Sequence, residues 1–263
     1  AELARYDTKG KPIQVVASEG KIGDDEHPIE GLRRKPKSSI IVATKLMKTG
    51  DADVLVSMGS TGASMASSVF ILGLMEGLER PCIGGPFLGV APRTVLVDMG
   101  SNIDCRPSLM VSFGALGSVF AQRFLDIENP RVGLLSVGSE AAKGNRQVHE
   151  SYQLLEESHL NFIGNVEGHD LFGEELDVVV CNGFVGNIVL KTCESLALRM
   201  MGWLKDELTA TPIRKIGAAL SKNAFRALKN RIDTDNYGGA PLLGVNGVVT
   251  ICHGSASDRA ICN

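Results

Sequence analysis

DVVVCNGFVGNIVLK, residues 177–191, divides into three parts. Val178, Val179 and Val180 form a β-branched run that suits a buried strand. Asn182, Gly183, Phe184, Val185, Gly186 and Asn187 make a glycine-rich turn. From Ile188 onward, apolar residues recur at helical spacing through Leu190, Cys193, Leu196, Met200 and Leu204. Strand, glycine turn and helix in this order is how an α/β fold builds an anion site. The new helix offers free N–H groups and the positive end of its dipole. An ordinary βα turn, with glycines for geometry, has the same pattern, and one such turn alone favours that plainer reading.

Three further loops share the character. A strand at residues 54–56 leads into Gly59, Ser60, Thr61 and Gly62. A strand at residues 94–97 leads into Gly100, Ser101 and Asn102. A strand at residues 131–135 leads into Gly138, Ser139, Lys143, Gly144 and Asn145. A fifth loop, opened by His253, follows a strand at residues 248–251. In a parallel sheet such loops gather outside the carboxyl ends of the strands, where these folds bind ligands. The expectation is one polar, backbone-lined pocket.

Composition narrows the class. The chain has 263 residues, 44% hydrophobic and 22% charged, as in an ordinary globular protein. Its net charge of -3 argues against a nucleic-acid binder. No apolar run is long enough to span a bilayer, and no signal-peptide pattern is present. The six cysteines form no CxxC pair and mostly have apolar neighbours. That fits a reduced, cytoplasmic protein better than a disulfide scaffold or a zinc site. The chain does not start with Met and opens without a strand, so a processed or truncated form of a longer protein is expected.

Alternating strands and helices predict an α/β fold, a mostly parallel sheet with helices on both faces. Helices are expected at residues 39–49, 63–75, 107–125 and 143–157, and strands at 13–17 and 162–166 as well as those above. Residues 81–92 and 237–244, rich in Gly and Pro, read as irregular connections. Residues 29–37, IEGLRRKPK, form a basic patch, either solvated surface or a contact for an anion or acidic partner. Residues 213–232 read as one amphipathic helix with six cations and no acid, a helical excursion over about 205–236 facing a membrane or a dimer partner.

Seven segments in fixed order resemble one family. They are GSTGA at 59–63, GSNIDCRP at 100–107, GSEAAKGN at 138–145, GNVEGHD at 164–170, CNGFVGN at 181–187, YGGAPLLG at 237–244 and HGSAS at 253–257, with RRK at 33–35 in support. The chain is similar to the acyl-ACP:phosphate acyltransferases of bacterial phospholipid synthesis over nearly its whole length. The resemblance implies a fold like isocitrate dehydrogenases and phosphotransacetylases, with residues 1–263 one catalytic domain. It implies a homodimer, peripheral association with an anionic membrane, and transfer of an acyl group from acyl carrier protein to inorganic phosphate. The acyl phosphate would pass to a glycerol-3-phosphate acyltransferase. Asn182 stands where the family usually has Asp, and Ser60 where it usually has Asn. The family's N-terminal strand and final helix are expected to be missing.

That reaction needs no protein nucleophile, since phosphate attacks the thioester itself. The protein must hold phosphate and stabilise the oxyanion. Backbone N–H groups of the glycine loops can cradle phosphate. Lys143, the lysine inside a glycine loop, is the candidate to neutralise it. Asn187 can donate an amide hydrogen, and the family implicates both positions. A solvated lysine at a helix start and an Asn N-cap are the plainer alternatives. Gly59, Ser60, Thr61, Gly62, Gly100, Ser101, Asn102, Gly138, Ser139, Gly144, Asn145, Asn182, Gly183, Gly186 and His253 are the expected substrate-binding positions, though His253 is as well placed to be structural. Cys105 and Cys181 suggest a thiolase-like mechanism only weakly, because small buried Cys is the commoner case. Asp98, Asp104 and Asp177 match no metal motif, and no GxGxxG fingerprint occurs, so neither metal nor cofactor is expected. The rival readings are a phosphotransacetylase acting on short acyl-CoA and a membrane-recruited scaffold with a decayed site.

Overall fold

The computed structural model describes residues 5, 9–87, 91–232, 238–254 and 256–262. Eight strands form one sheet: β1 (Val54–Ser57), β2 (Cys82–Phe87), β3 (Ala91–Val97), β4 (Arg131–Leu135), β5 (Asn161–Val166), β6 (Val178–Val180), β7 (Ala240–Leu243) and β8 (Val248–Ile251). Their spatial order is β1-β8-β7-β2-β3-β6-β4-β5. The pairs β1/β8, β3/β6, β6/β4 and β4/β5 are parallel. The pairs β8/β7, β7/β2 and β2/β3 are antiparallel.

These pairings have a consequence for the site. The block β1–β8 and the block β3–β6–β4–β5 run in opposite directions, with β7 and β2 between them. The loops after β1 and β8 therefore leave the sheet at one edge, and those after β3, β4 and β6 at the other. The expected gathering of all five loops at one edge is corrected by this topology.

Helices cover both faces. On one face Leu55, Leu96, Val179, Val249 and Ile251 pack under α2 (Ser39–Thr49), α3 (Thr61–Ser67) and α6 (Gly183–Thr209). On the other, Val95, Val97, Val132, Leu134, Val178 and Val180 pack under α4 (Pro107–Phe124) and α5 (Arg146–Glu156). The alternation Val95, Leu96, Val97 in β3 sends successive side chains to opposite faces, as a strand requires. In the central strands β3, β4 and β6 both faces are buried, so they read as apolar runs, whereas β1 and β8 alternate between exposed and buried positions.

Three expectations about strands change. Residues 13–17 form no strand, and Ile13, Val15 and Val16 are exposed, with no strand partner among the described residues. Residues 82–87 are a central strand despite two glycines and a proline. A Cβ on Gly84 would stand 2.1 Å from Val97 Cγ1, so only glycine lets β2 lie against β3. Pro86 sits at a register shift, where a missing N–H is tolerated. Residues 240–243 are strand β7 rather than turn; a Cβ on Gly239 would meet Cys252 Sγ at 2.6 Å, so glycine is what admits β8 alongside. Tyr237 lies outside the described residues.

The helical excursion is two helices, α7 (Pro212–Leu220) and α8 (Lys222–Ile232), interrupted at Ser221. Thr211 caps α7 by accepting from the Arg214 N–H, and Pro212 fits its first turn. α7 packs on α6, and α8 on α7. Ile213, Ile216 and Leu220 on α7, Leu228 on α8, and Leu196, Met200 and Trp203 on α6 are exposed. Among the described residues, no helix is long and apolar enough to cross a membrane.

Candidate active site

The β3–α4 loop is built on Asp98, a fully buried carboxylate. It accepts from the backbone N–H of Ile83, Gly100, Ser101 and Asn102, and from the Ser101 hydroxyl and Asn102 amide. A buried carboxylate needs such donors, and meeting them fixes the loop. Asp98 is therefore the organiser of residues 98–102, and sequence reading weighed it only as a metal ligand. Its signal was visible in retrospect: an Asp ending a strand before Gly-Ser-Asn can fold the backbone onto its own side chain.

The start of α6 locks onto this loop. The helix begins at Gly183, not Ile188, and Asn182 is its N-cap, accepting from the Val185 N–H at 2.9 Å. The Asn182 amide also donates to Gln147 Oε1 at 2.7 Å, and Gln147 donates to the Cys105 carbonyl, which ties α5, α6 and the β3–α4 loop together. The Gly183 N–H donates to the Asn102 carbonyl at 2.8 Å. A Cβ on Gly183 would fall 2.8 Å from that oxygen, and one on Gly186 would fall 2.0 Å from the Asp98 carbonyl oxygen. Gly183 and Gly186 thus serve close backbone packing. With the N–H groups of Gly183, Val185 and Gly186 already engaged, the expected phosphate cradle at this helix start is largely occupied by the protein itself.

Asn187 lies in the second turn. Its amide donates to the Met99 carbonyl at 3.2 Å and lies against Gly100, whose φ of 138° excludes a side chain in any case. A groove of about 580 Å³ starts at Asn187 and runs along α6, lined also by Lys191, Thr192, Ser195 and Arg199. It is open, mostly apolar through Ile188 and Leu196, and carries the two cations Lys191 and Arg199.

The β4–α5 loop holds Lys143 three residues before α5, whose N-cap is Asn145, accepting from the Val148 N–H at 3.0 Å. Lys143 is therefore a loop residue. The side chain is exposed, its stem lies over Gly138, and its ammonium makes no ion pair among the described residues. Ser139 is exposed beside it, and Gly144 turns the chain with φ 110°. Near these loops Asn102 Oδ1, Ser136 Oγ and Asn165 Oδ1 are buried without a hydrogen-bond partner. Orphaned buried polar atoms are rare in native structures, and each one calls for a partner such as water, an ion or a ligand.

Gly59, Ser60, Thr61, Gly62 and His253 stand at the other sheet edge. Ser60 caps α3, accepting from the Ala63 N–H, and Gly62 admits the Pro28 ring. The β8 loop lies alongside, with Cys252 N–H donating to the Ser57 carbonyl. Helix α6 connects the two groups. Burial raises the half-buried Glu194 carboxyl above its ordinary value, while His253 and Lys191 offset part of that rise. Glu194 was not singled out in the sequence; nothing local distinguishes it from other helix-surface glutamates.

The cysteines are not poised to attack. Burial, reinforced by Asp98, pushes the Cys105 thiol up to about 11, and burial raises Cys181 further. Thiolates are the reactive form, and these are protonated near neutral pH. Asp177 is likewise engaged: it binds the Arg131 guanidinium and N–H, clamping β4 to the residue before β6. Among the described residues no group of three or more His, Cys, Asp or Glu is placed to hold a metal ion.

A family model described as "Fatty acid synthesis protein" matches residues 1–263. The chain is 48% identical to the phosphate acyltransferase of Desulforamulus reducens over 257 residues, covering 98% of this chain and 77% of that one. It is 45% identical to that of Pelotomaculum thermopropionicum over 263 residues, covering 100% and 77%. The chain belongs to the phosphate acyltransferase family. Among solved structures, the fold is similar to a phosphotransacetylase from Streptococcus pyogenes, with TM-score 0.59 and 17% identity over 88% of this chain and 66% of that one. The EutD phosphotransacetylase from Staphylococcus aureus gives TM-score 0.54 at 17% identity, over 84% and 64%. Those likenesses bear on the fold, and they agree with the expected mostly parallel α/β architecture.

Proposed function

We propose that this family member transfers a fatty acyl group from the thioester of acyl carrier protein to inorganic phosphate. A phosphate oxygen attacks the thioester carbonyl, a C–O bond forms, the C–S bond breaks, and the thiol leaves with a proton from phosphate or solvent. The observation that carries this reading is Lys143: an exposed ammonium that makes no ion pair among the described residues, in a glycine turn near buried oxygens that find no hydrogen-bond partner among them. Its charge neutralises phosphate and polarises the carbonyl. Asn187 supplies the anchor between α6 and the β3 loop, and the cationic groove beyond it accommodates an acidic carrier or its arm. Raised thiols at Cys105 and Cys181 support direct attack over an acyl-cysteine intermediate.

The α7–α8 pair supports a long-chain substrate. Exposed Ile213, Ile216 and Leu220 stand with Lys215, Lys222, Arg226 and Lys229, a combination suited to an anionic bilayer or to a second copy of the chain. A homodimer resting on a membrane would release its insoluble, labile product beside a glycerol-3-phosphate acyltransferase. Phosphate-dependent release of carrier from long-chain acyl-ACP tests the reaction. Turnover of short acyl-CoA with none of acyl-ACP would establish the phosphotransacetylase reading, and no turnover of either would establish the decayed scaffold.

A further inference from the structure

Away from these loops, α1 (Pro28–Arg34), α2 and the end of α3 enclose a half-open pocket of about 280 Å³. Ile29, Leu32, Ile41, Phe70 and Ile71 supply its walls. Its floor includes Ser67, fully buried and satisfied: the hydroxyl donates to the Ser64 carbonyl and accepts from Thr44. The interior therefore offers no polar atom in need of water. An apolar cavity of about 150 Å³ already holds benzene and stays dry, so this one has room for a stretch of alkyl chain. Phe70 is 66% exposed at the rim, carried by a π-helical turn (Ser68–Leu72), a distortion often found at functional sites.

The charges around the pocket are sorted. Arg34 pairs with Glu30, Lys35 with Glu26 and Lys37 with Glu19. Arg33 and Lys45, the two cations that line the pocket, have no ion pair among the described residues. An apolar slot with two unneutralised cations at its mouth is complementary to a molecule with one alkyl tail and an anionic head.

We propose that this pocket binds a single-chain anionic amphiphile, tail among Ile29, Leu32, Ile41 and Ile71, head on Arg33 and Lys45. A fatty acid and an alkyl or acyl phosphate share that chemistry, and the site stands independently of the reaction proposed above. Isothermal titration of the full chain with dodecanoate, dodecyl phosphate and dodecanol, each below its critical micelle concentration, tests it. Saturable binding of an anion and at least about tenfold weaker binding of the alcohol are expected. Stronger binding of dodecanoate assigns the site to fatty acids, and stronger binding of dodecyl phosphate to phosphorylated chains. Arg33→Glu with Lys45→Glu, both exposed positions, should weaken either anion by at least about tenfold, and Leu32→Trp should block the slot. Binding unchanged by the charge reversal, an alcohol that binds as well as the anions, or no binding by folded protein would each overturn the proposal.

Discussion

Replacing Gly186 by Ala tests whether close packing, rather than turn geometry, explains the glycines of the CNGFVGN segment. The new Cβ would lie 2.0 Å from the Asp98 carbonyl oxygen and 3.0 Å from Cys181 Sγ. An ordinary C···O contact is about 3.3 Å, so roughly 1.3 Å of separation must be found. The loop cannot readily give, because the Asp98 carboxylate pins it from Ile83 to Asn102. α6 must move instead, and the Asn187–Met99 hydrogen bond goes with it. Overpacking of this kind costs about 3 kcal/mol, at the upper end of the usual range. For a chain of this size that is a fall in melting temperature of roughly 6–12 °C. Gly202 in the same helix is the control, since a Cβ there meets nothing within 4 Å. Gly202→Ala should stabilise by about 0.5–1 kcal/mol through helix propensity. Calorimetric melting of both variants reads the difference in sign. A Gly186→Ala protein that melts at or above the parent would refute the packing account.

Lys143→Ala should reduce turnover by roughly 10²–10³ without changing the melting temperature, because the side chain is exposed and makes no ion pair among the described residues; full activity in the phosphate-dependent release assay would remove Lys143 from the site. Burial pushes the Asp177 carboxyl up, but the hydrogen bonds from Arg131 outweigh it and hold it below its ordinary 3.8. Its stabilisation is thus present above that value and lost as pH falls through the folded one. Asp177→Asn should cost about 1.5 kcal/mol at neutral pH, a difference that denaturant titrations should see shrink on acidification below about pH 4. The Glu194 carboxyl is raised above 4.5 by burial, so its favourable contribution is complete below that value and lost as pH rises through the folded one. Glu194→Gln should therefore be more stable than the parent at pH 8 and equal to it at pH 4, as measured by urea unfolding.

Much was legible in the chain itself. The apolar runs of β3, β4 and β6, the helices α2 and α4 and the layering of helices on both faces all follow from local pattern, because burial on two faces selects continuous apolar strands. The ordered glycine motifs sufficed for the family, and a lone lysine in a glycine loop sufficed to single out Lys143. The reach of that reading ended where a residue's role depends on what approaches it from far away in sequence. Glycines and Pro86 argued against strands at residues 82–87 and 240–243, yet Gly84 and Gly239 are what permit those strands to pair. Asp98 matches no metal motif in the sequence, and its role as organiser of the β3–α4 loop emerges only with its donors in place; Arg33 and Lys45 stand out only once the neighbouring cations have found their carboxylates. Strand direction was the largest gap. Each βα unit specifies its own loop, but the antiparallel insertion of β7 and β2 reverses one block against the other. That is a pairing of distant segments, decided by tertiary packing, and it sends Gly59–Gly62 and His253 to one edge of the sheet and Lys143 to the other.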